Sequence, residues 1–97
     1  MKYFEMCFKL GEGFRRDAAA FLGGQASLAN NEHLRSAAAA FLESAQYFRK
    51  GLNLVGWMKD RAGALKAEEI LREFIGIFEE IVKSEMAGAE FLLKAAK

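Results

Sequence analysis

The chain has no proline, one cysteine and one histidine in 97 residues. About five per cent proline would be ordinary. Proline removes a helical hydrogen bond and clashes with the preceding turn, so its absence permits long unbroken helices. Cys7, being alone, excludes an intramolecular disulfide and any metal site built on several thiolates, and a reducing cytoplasm is the expected location. His33 follows Glu32 directly and has no second histidine to form the Glu-x-x-His pairs of a helical metal centre, so no metal or other cofactor is expected. An excess of either charge is also missing. Fourteen basic residues against thirteen acidic give a net charge of +1, which is not the footprint of a nucleic-acid or polybasic membrane binder. Long hydrophobic runs are absent too. The most apolar region, Ile70 to Val82, carries Arg72, Glu73, Glu79 and Glu80, and Glu5 and Lys9 interrupt the first fourteen residues, so neither a membrane span nor a secretory signal is expected. Gly11-Glu12-Gly13 lacks the third glycine and the preceding strand of a phosphate-cradling loop and reads as a helix break.

What is present favours helix. Apolar residues make up 53% of the chain and charged ones 28%, as in an ordinary soluble protein, and 97 residues suffice for a single domain, 1–97. Alanine, leucine, glutamate and lysine are abundant and β-branched residues few. Between Ala64 and Ala96, at 100° per residue, Ala67, Leu71, Phe74, Ile75, Ile77, Phe78, Ile81, Val82, Ala89, Leu92 and Leu93 fall in one apolar stripe. Glutamates and basic residues take the other side, and Gly88 is a candidate kink or fraying point.

The middle segment opens at Asn30-Asn31-Glu32, with Asn31 as the N-cap. Leu34, Ala37, Ala38, Phe41, Ala45, Phe48, Leu52 and Val55 form one face. A second stripe runs through Ala40, Tyr47, Leu54 and Met58, and two stripes imply two neighbours. Gly63, with Lys59 and Arg61 nearby, suits the helix C-cap. In the first segment Phe4, Cys7, Gly11, Phe14, Ala18 and Phe21 recur at alternating spacings of four and three, which predicts one helix over 2–22 or two pieces divided at Gly11 and Gly13. Cys7, on that stripe, reads as a small core residue; a Cys7–His33 dyad is the one nucleophilic arrangement the sequence allows. Gly23-Gly24 is expected to stop the helix.

Residues 14–22 and 34–42 match at six of nine positions, each with an alanine run followed by Phe-Leu, a pattern that lets helices approach closely. Two residues violate their surroundings. Glu85 falls within the apolar face of the last segment and needs a cation, a hydroxyl, a proton or water. Phe91 projects among glutamates and lysines. With Trp57 and the Tyr47, Leu54, Met58 stripe it forms a candidate interface, and Glu85 is a candidate polar groove residue.

Gly11-x-Gly-Phe-Arg-Arg, then Ala-Ala-x-Phe-Leu, then Leu34-x-x-Ala-Ala-x-x-Phe-x-Glu-Ser-Ala and the Glu-rich closing segment resemble the C-terminal helical region of butirosin-biosynthesis-H-like proteins over residues 11–93. Those are papain-like-fold acyl-transfer proteins. Their lobe carrying cysteine and histidine has no counterpart here, so the resemblance implies a packing or substrate-covering element and carries over no catalytic residue.

The expected fold is all-α, a three-helix up-down-up bundle with segments near 2–22, 31–61 and 64–96, the last two forming a long antiparallel hairpin. These unequal lengths leave an apolar overhang, and the aromatic load exceeds what a small domain hides, so a homodimer closing a larger bundle is expected. The expected function is a non-catalytic interaction or scaffold module, self-associating or binding a protein partner, with neither nucleic acid nor membrane involved. The alternative is a small-molecule or acyl-chain binder with an aromatic-lined groove.

Overall fold

Two asparagines decide where the first helix stops and the second begins. In the computed structural model, which describes residues 2–60 and 67–97, α1 spans Lys2–Ala29, α2 Glu32–Asp60 and α3 Ala67–Ala96. Asn30 takes a left-handed backbone with φ 50°, and the Asn31 N–H then donates to the Ala26 carbonyl at 3.1 Å, closing the last turn of α1. The Asn31 side chain faces forward: its Oδ1 accepts from the backbone N–H groups of His33 at 2.9 Å and Leu34 at 3.3 Å. These are orphan donors of a helix start, so Asn31 is the N-cap expected. A two-residue connection leaves α2 no choice but to fold back along α1.

The expected stop at Gly23-Gly24 does not occur. A Cβ at either residue would meet nothing within 4 Å, and the helix runs through them to Ala29. Gly11 and Gly13 do not divide α1 either, and Gly88 does not break α3. Gly63 and Arg61, proposed for the C-cap of α2, lie outside the described residues, as does the side chain of Lys59.

The helices run up, down and up, an all-α three-helix bundle with no strand among the described residues. Their lengths are 28, 29 and 30 residues, so the mismatch behind the expected overhang is absent. α2 lies between the other two. Its small residues Ala37, Ala40 and Ala45 are buried, as is Ala26 of α1, so the alanine runs do bring helices close. The glycines seat aromatic rings. A Cβ at Gly11 would overlap the Phe48 ring, one at Gly51 the Phe8 ring, and one at Gly88 would stand 3.0 Å from Phe41. Phe8 of α1 thus drops onto α2 at Gly51, while Phe48 of α2 drops onto α1 at Gly11, their ring centroids 6.2 Å apart.

The face of α1 that meets α2 is not the one its apolar spacing predicts. Phe8, Gly11, Glu12 and Ala26 are buried, whereas Phe14 and Phe21 are 64% and 65% exposed. Cys7 is exposed rather than in the core; the side chain of Phe4 lies outside the described residues. The reason is electrostatic. The Glu12 carboxylate faces α2, where Arg49 reaches it at 2.8 Å, with Arg16 of its own helix at 2.9 Å. Paired with two guanidinium groups, a carboxylate can occupy a face that hydropathy alone would assign to phenylalanine.

α1 and α3 run parallel on the same side of α2, but among the described residues no Cα of one lies within 8 Å of a Cα of the other. Only side chains bridge the gap. Phe8 stacks on Phe74 and Phe78 at centroid distances of 6.0 and 5.8 Å, and Arg15 Nε donates to Glu85 Oε1 at 2.6 Å. The bundle is therefore open along the side opposite α2. Its extents are 52 × 19 × 15 Å and its radius of gyration 15.8 Å, against about 12.5 Å for a compact chain of this length.

Candidate interaction face

The open side is apolar. On α3, Leu71, Ile75, Val82, Met86 and Leu93 form a ridge pointing away from α2, and Phe78 is 44% exposed at its inner edge. On α1, Tyr3, Leu10, Phe14, Phe21 and Leu28 form a second ridge at spacings of seven and four. In both ridges helical periodicity puts these apolar residues on one exposed line. Helical spacing alone assigns most of these α3 residues, and Phe14 and Phe21 of α1, to core faces. The periodicity was legible; which neighbour each stripe meets was not. α3 buries Ile77, Ile81, Ser84 and Gly88 against α2, along one margin of the predicted stripe rather than its middle. The Ala67 side chain lies outside the described residues.

Polar cross-links lie beneath the face. Glu85, the anomaly in the apolar stripe, is half-buried and holds both a cation and a hydroxyl: Arg15 donates to it at 2.6 Å and Ser44 Oγ at 3.2 Å. The Arg15 guanidinium also sits over the Phe48 ring, 4.6 Å from its centroid. One glutamate thereby ties all three helices together. Glu12 makes the second link. Burial alone would raise its carboxyl, but hydrogen bonds from Arg49 and Arg16, and their positive charge, outweigh burial and hold it below the ordinary carboxylate value.

The residues singled out as an interface in the sequence are spread over two places. Tyr47, Leu54 and Met58 are half-buried, and Tyr47 and Leu54 border α3 beside Glu80 and Ile70 respectively. The second stripe of α2 thus meets its second neighbour within the chain. The charge of Glu80, then burial, the charge of Glu43 and a hydrogen bond to Glu80 raise the Tyr47 phenol above its ordinary value. Trp57 is 41% exposed and, with Leu54, Ile70, Glu69 and Glu73, lines a hollow of about 300 Å³ at the end of the α2–α3 pair. Phe91 is half-buried with the Lys94 ammonium 5.5 Å from its ring centroid. It does not join Trp57: along α3 it is 21 residues from Ile70, on the order of 30 Å at 1.5 Å per residue.

Cys7 and His33 are not a dyad. His33 opens α2 beside the Asn30-Asn31 turn, while Cys7 lies near the other end of α1, again on the order of 30 Å away. Among the described residues no group of three or more His, Cys, Asp or Glu is placed to hold a metal ion, and no helix is long and apolar enough to cross a membrane. No protein-family model, curated protein or solved structure matches the chain.

Proposed function

We propose that the chain is a non-catalytic helical interaction module that self-associates in the cytoplasm through the open α1–α3 face. One observation carries this reading: two apolar ridges, on helices held apart by more than backbone-contact distance, both face away from the element that organises the bundle. A contiguous apolar face of this kind marks an association surface.

The alternative, a binder of a small apolar molecule, is favoured by a hollow of about 270 Å³ in the open side, bounded by Phe14, Arg15, Ala18, Phe41 and Glu85. Ligand pockets usually start near about 300 Å³ and enclose most of their ligand. This hollow is small and widely open, so the ridges above it are the stronger feature. Thermal unfolding over a hundredfold range of protein concentration separates the two readings. Self-association predicts a midpoint that rises with concentration. A midpoint independent of concentration, together with stabilisation by a fatty acid or acyl thioester, contradicts it.

A further inference from the structure

The total accessible surface is 6588 Å², whereas a folded monomer of 10.8 kDa is expected to expose roughly 5,500 Å². The excess, on the order of 1,000 Å², is what each partner contributes to a standard protein interface, about 800 Å². Area alone does not say what covers it. The charges beside the α3 ridge do.

Along the side of that ridge away from α1 stand Glu68, Arg72, Glu79, Lys83, Glu90 and Lys94, all exposed. They are three copies of one acid–base pair repeated every eleven residues: Glu-Glu-Ile-Leu-Arg at 68–72, Glu-Glu-Ile-Val-Lys at 79–83 and Glu-Phe-Leu-Leu-Lys at 90–94. Eleven residues make three helical turns almost evenly, so the three pairs lie in one row, with signs alternating from one end to the other. Within the helix these charges are weakly held: Glu68 and Arg72, 2.7 Å apart, are each 77% exposed, Lys83 turns to Glu80 at 3.7 Å, and Lys94 lies over the Phe91 ring. The alternation has a second property. Read backwards, the row has every sign inverted. Ile81 is the midpoint of Glu68 and Lys94, of Arg72 and Glu90, and of Glu79 and Lys83. A second α3 laid antiparallel over the first and centred there therefore sets each glutamate opposite a cation. A parallel, in-register α3 would set glutamate on glutamate.

The same axis suits α1. The Arg15–Glu85 bridge joins residues 70 apart on parallel helices, so the level of Ile81 on α3 is that of Gly11 on α1. The exposed pairs Tyr3 with Phe21 and Leu10 with Phe14 share Glu12 as their midpoint, one residue or about 1.5 Å from that level. One two-fold axis thus matches apolar with apolar on α1 and opposite charges on α3. The charged residue beside the α1 ridge is Asp17, exposed and acidic, which across this axis faces Cys7 and gains no attraction, so α3 sets the register.

We propose that the open face is covered by a second copy of this chain, related by a two-fold axis at the level of Ile81 that lays the two α3 helices antiparallel. The proposal rests on the self-association reading above and specifies its geometry. Two-fold association of one patch with itself requires such self-complementarity.

Single cysteines in a Cys7→Ser background, treated with a short bis-maleimide, test it. Val82 and Leu71 are exposed ridge residues, so substitution should leave the fold intact, and unchanged circular dichroism verifies this. Val82→Cys, beside the axis, is expected to give a species of doubled mass. Leu71→Cys, ten residues from the axis and so about 30 Å from its counterpart, is expected to give none by itself. A mixture of Leu71→Cys and Leu93→Cys should cross-link. Cross-linking of Leu71→Cys alone in a dimer overturns the antiparallel arrangement. A dimer by native mass that none of these cysteines traps overturns the choice of face while leaving self-association standing. A monomer by native mass, alone or bound to something else, overturns both.

Discussion

At the residue scale, the glycines divide into two kinds that composition cannot distinguish. Gly51 is the seat of the Phe8 ring, and Phe8 is 2% exposed and among the largest fully buried side chains described. Gly76 is exposed, with open space where its Cβ would stand. Replacing Gly51 with alanine gains about 1 kcal/mol of helix propensity but overpacks Phe8 by about 1–3 kcal/mol. Gly51→Ala is therefore expected to lower the melting temperature and Gly76→Ala to raise it, the latter by about 0.5–1 kcal/mol of stability. Glu12 makes a pH prediction. Its folded-state carboxyl lies below its unfolded value, so its ion pairs stabilise the fold above about pH 4.3, and that contribution is lost as the pH falls through the folded value. Urea unfolding between pH 7 and 3 should show a steep acid limb in the native chain and a flatter one in Glu12→Gln, which starts from lower stability at neutral pH. Parallel acid limbs contradict this. Of the two cross-linking glutamates, Glu85 announced itself in the sequence, because a carboxylate in an apolar stripe is conspicuous; Glu12 sat on a mixed face, and its partner Arg49 meets it only once α2 is in place.

At the scale of the elements, the helical periodicity of α2 and α3 was legible because apolar residues recur through many turns without proline. The Asn31 cap was legible because its side chain acts on its own next three residues. The end of α1 was not. Gly23-Gly24 costs a helix roughly 1–2 kcal/mol, too little to stop it when Ala26 beyond them is fully buried and Asn30 can adopt the left-handed turn. Asn31→Ala should cost about 1 kcal/mol by removing the acceptor for His33 and Leu34. Asn30→Gly, which keeps the left-handed turn, should be close to neutral, and Asn30→Ala should cost about 1 kcal/mol. Thermal melts of the three variants check the order. Equal losses for Asn30→Gly and Asn30→Ala would show that backbone handedness does not fix the turn. The outward stripe of α1 was misassigned for a related reason: periodicity reports that a face is apolar, not whether an Arg–Glu pair on the neighbouring face will claim the contact instead.

At the scale of the molecule, three helices of nearly equal length leave one long side open, and the surplus apolar surface anticipated from composition lies there rather than in an overhang. If the α3 charges set the register of a dimer, reversing one of them should matter more than removing it. Glu79→Lys sets like charges together and is expected to weaken dimerisation about tenfold, roughly 1.4 kcal/mol for two broken pairs. Adding Lys83→Glu restores alternation across the axis and should recover most of the loss, as measured by sedimentation. No recovery in the double variant would dissociate the charge row from assembly.

Native mass spectrometry of the unmodified chain at micromolar concentration addresses the central claim most directly, since it reports stoichiometry and any retained small molecule together. The proposed covering of both ridges by a second copy predicts a species of twice 10.8 kDa with no additional mass. A single chain, bare or carrying a small molecule, would contradict the account.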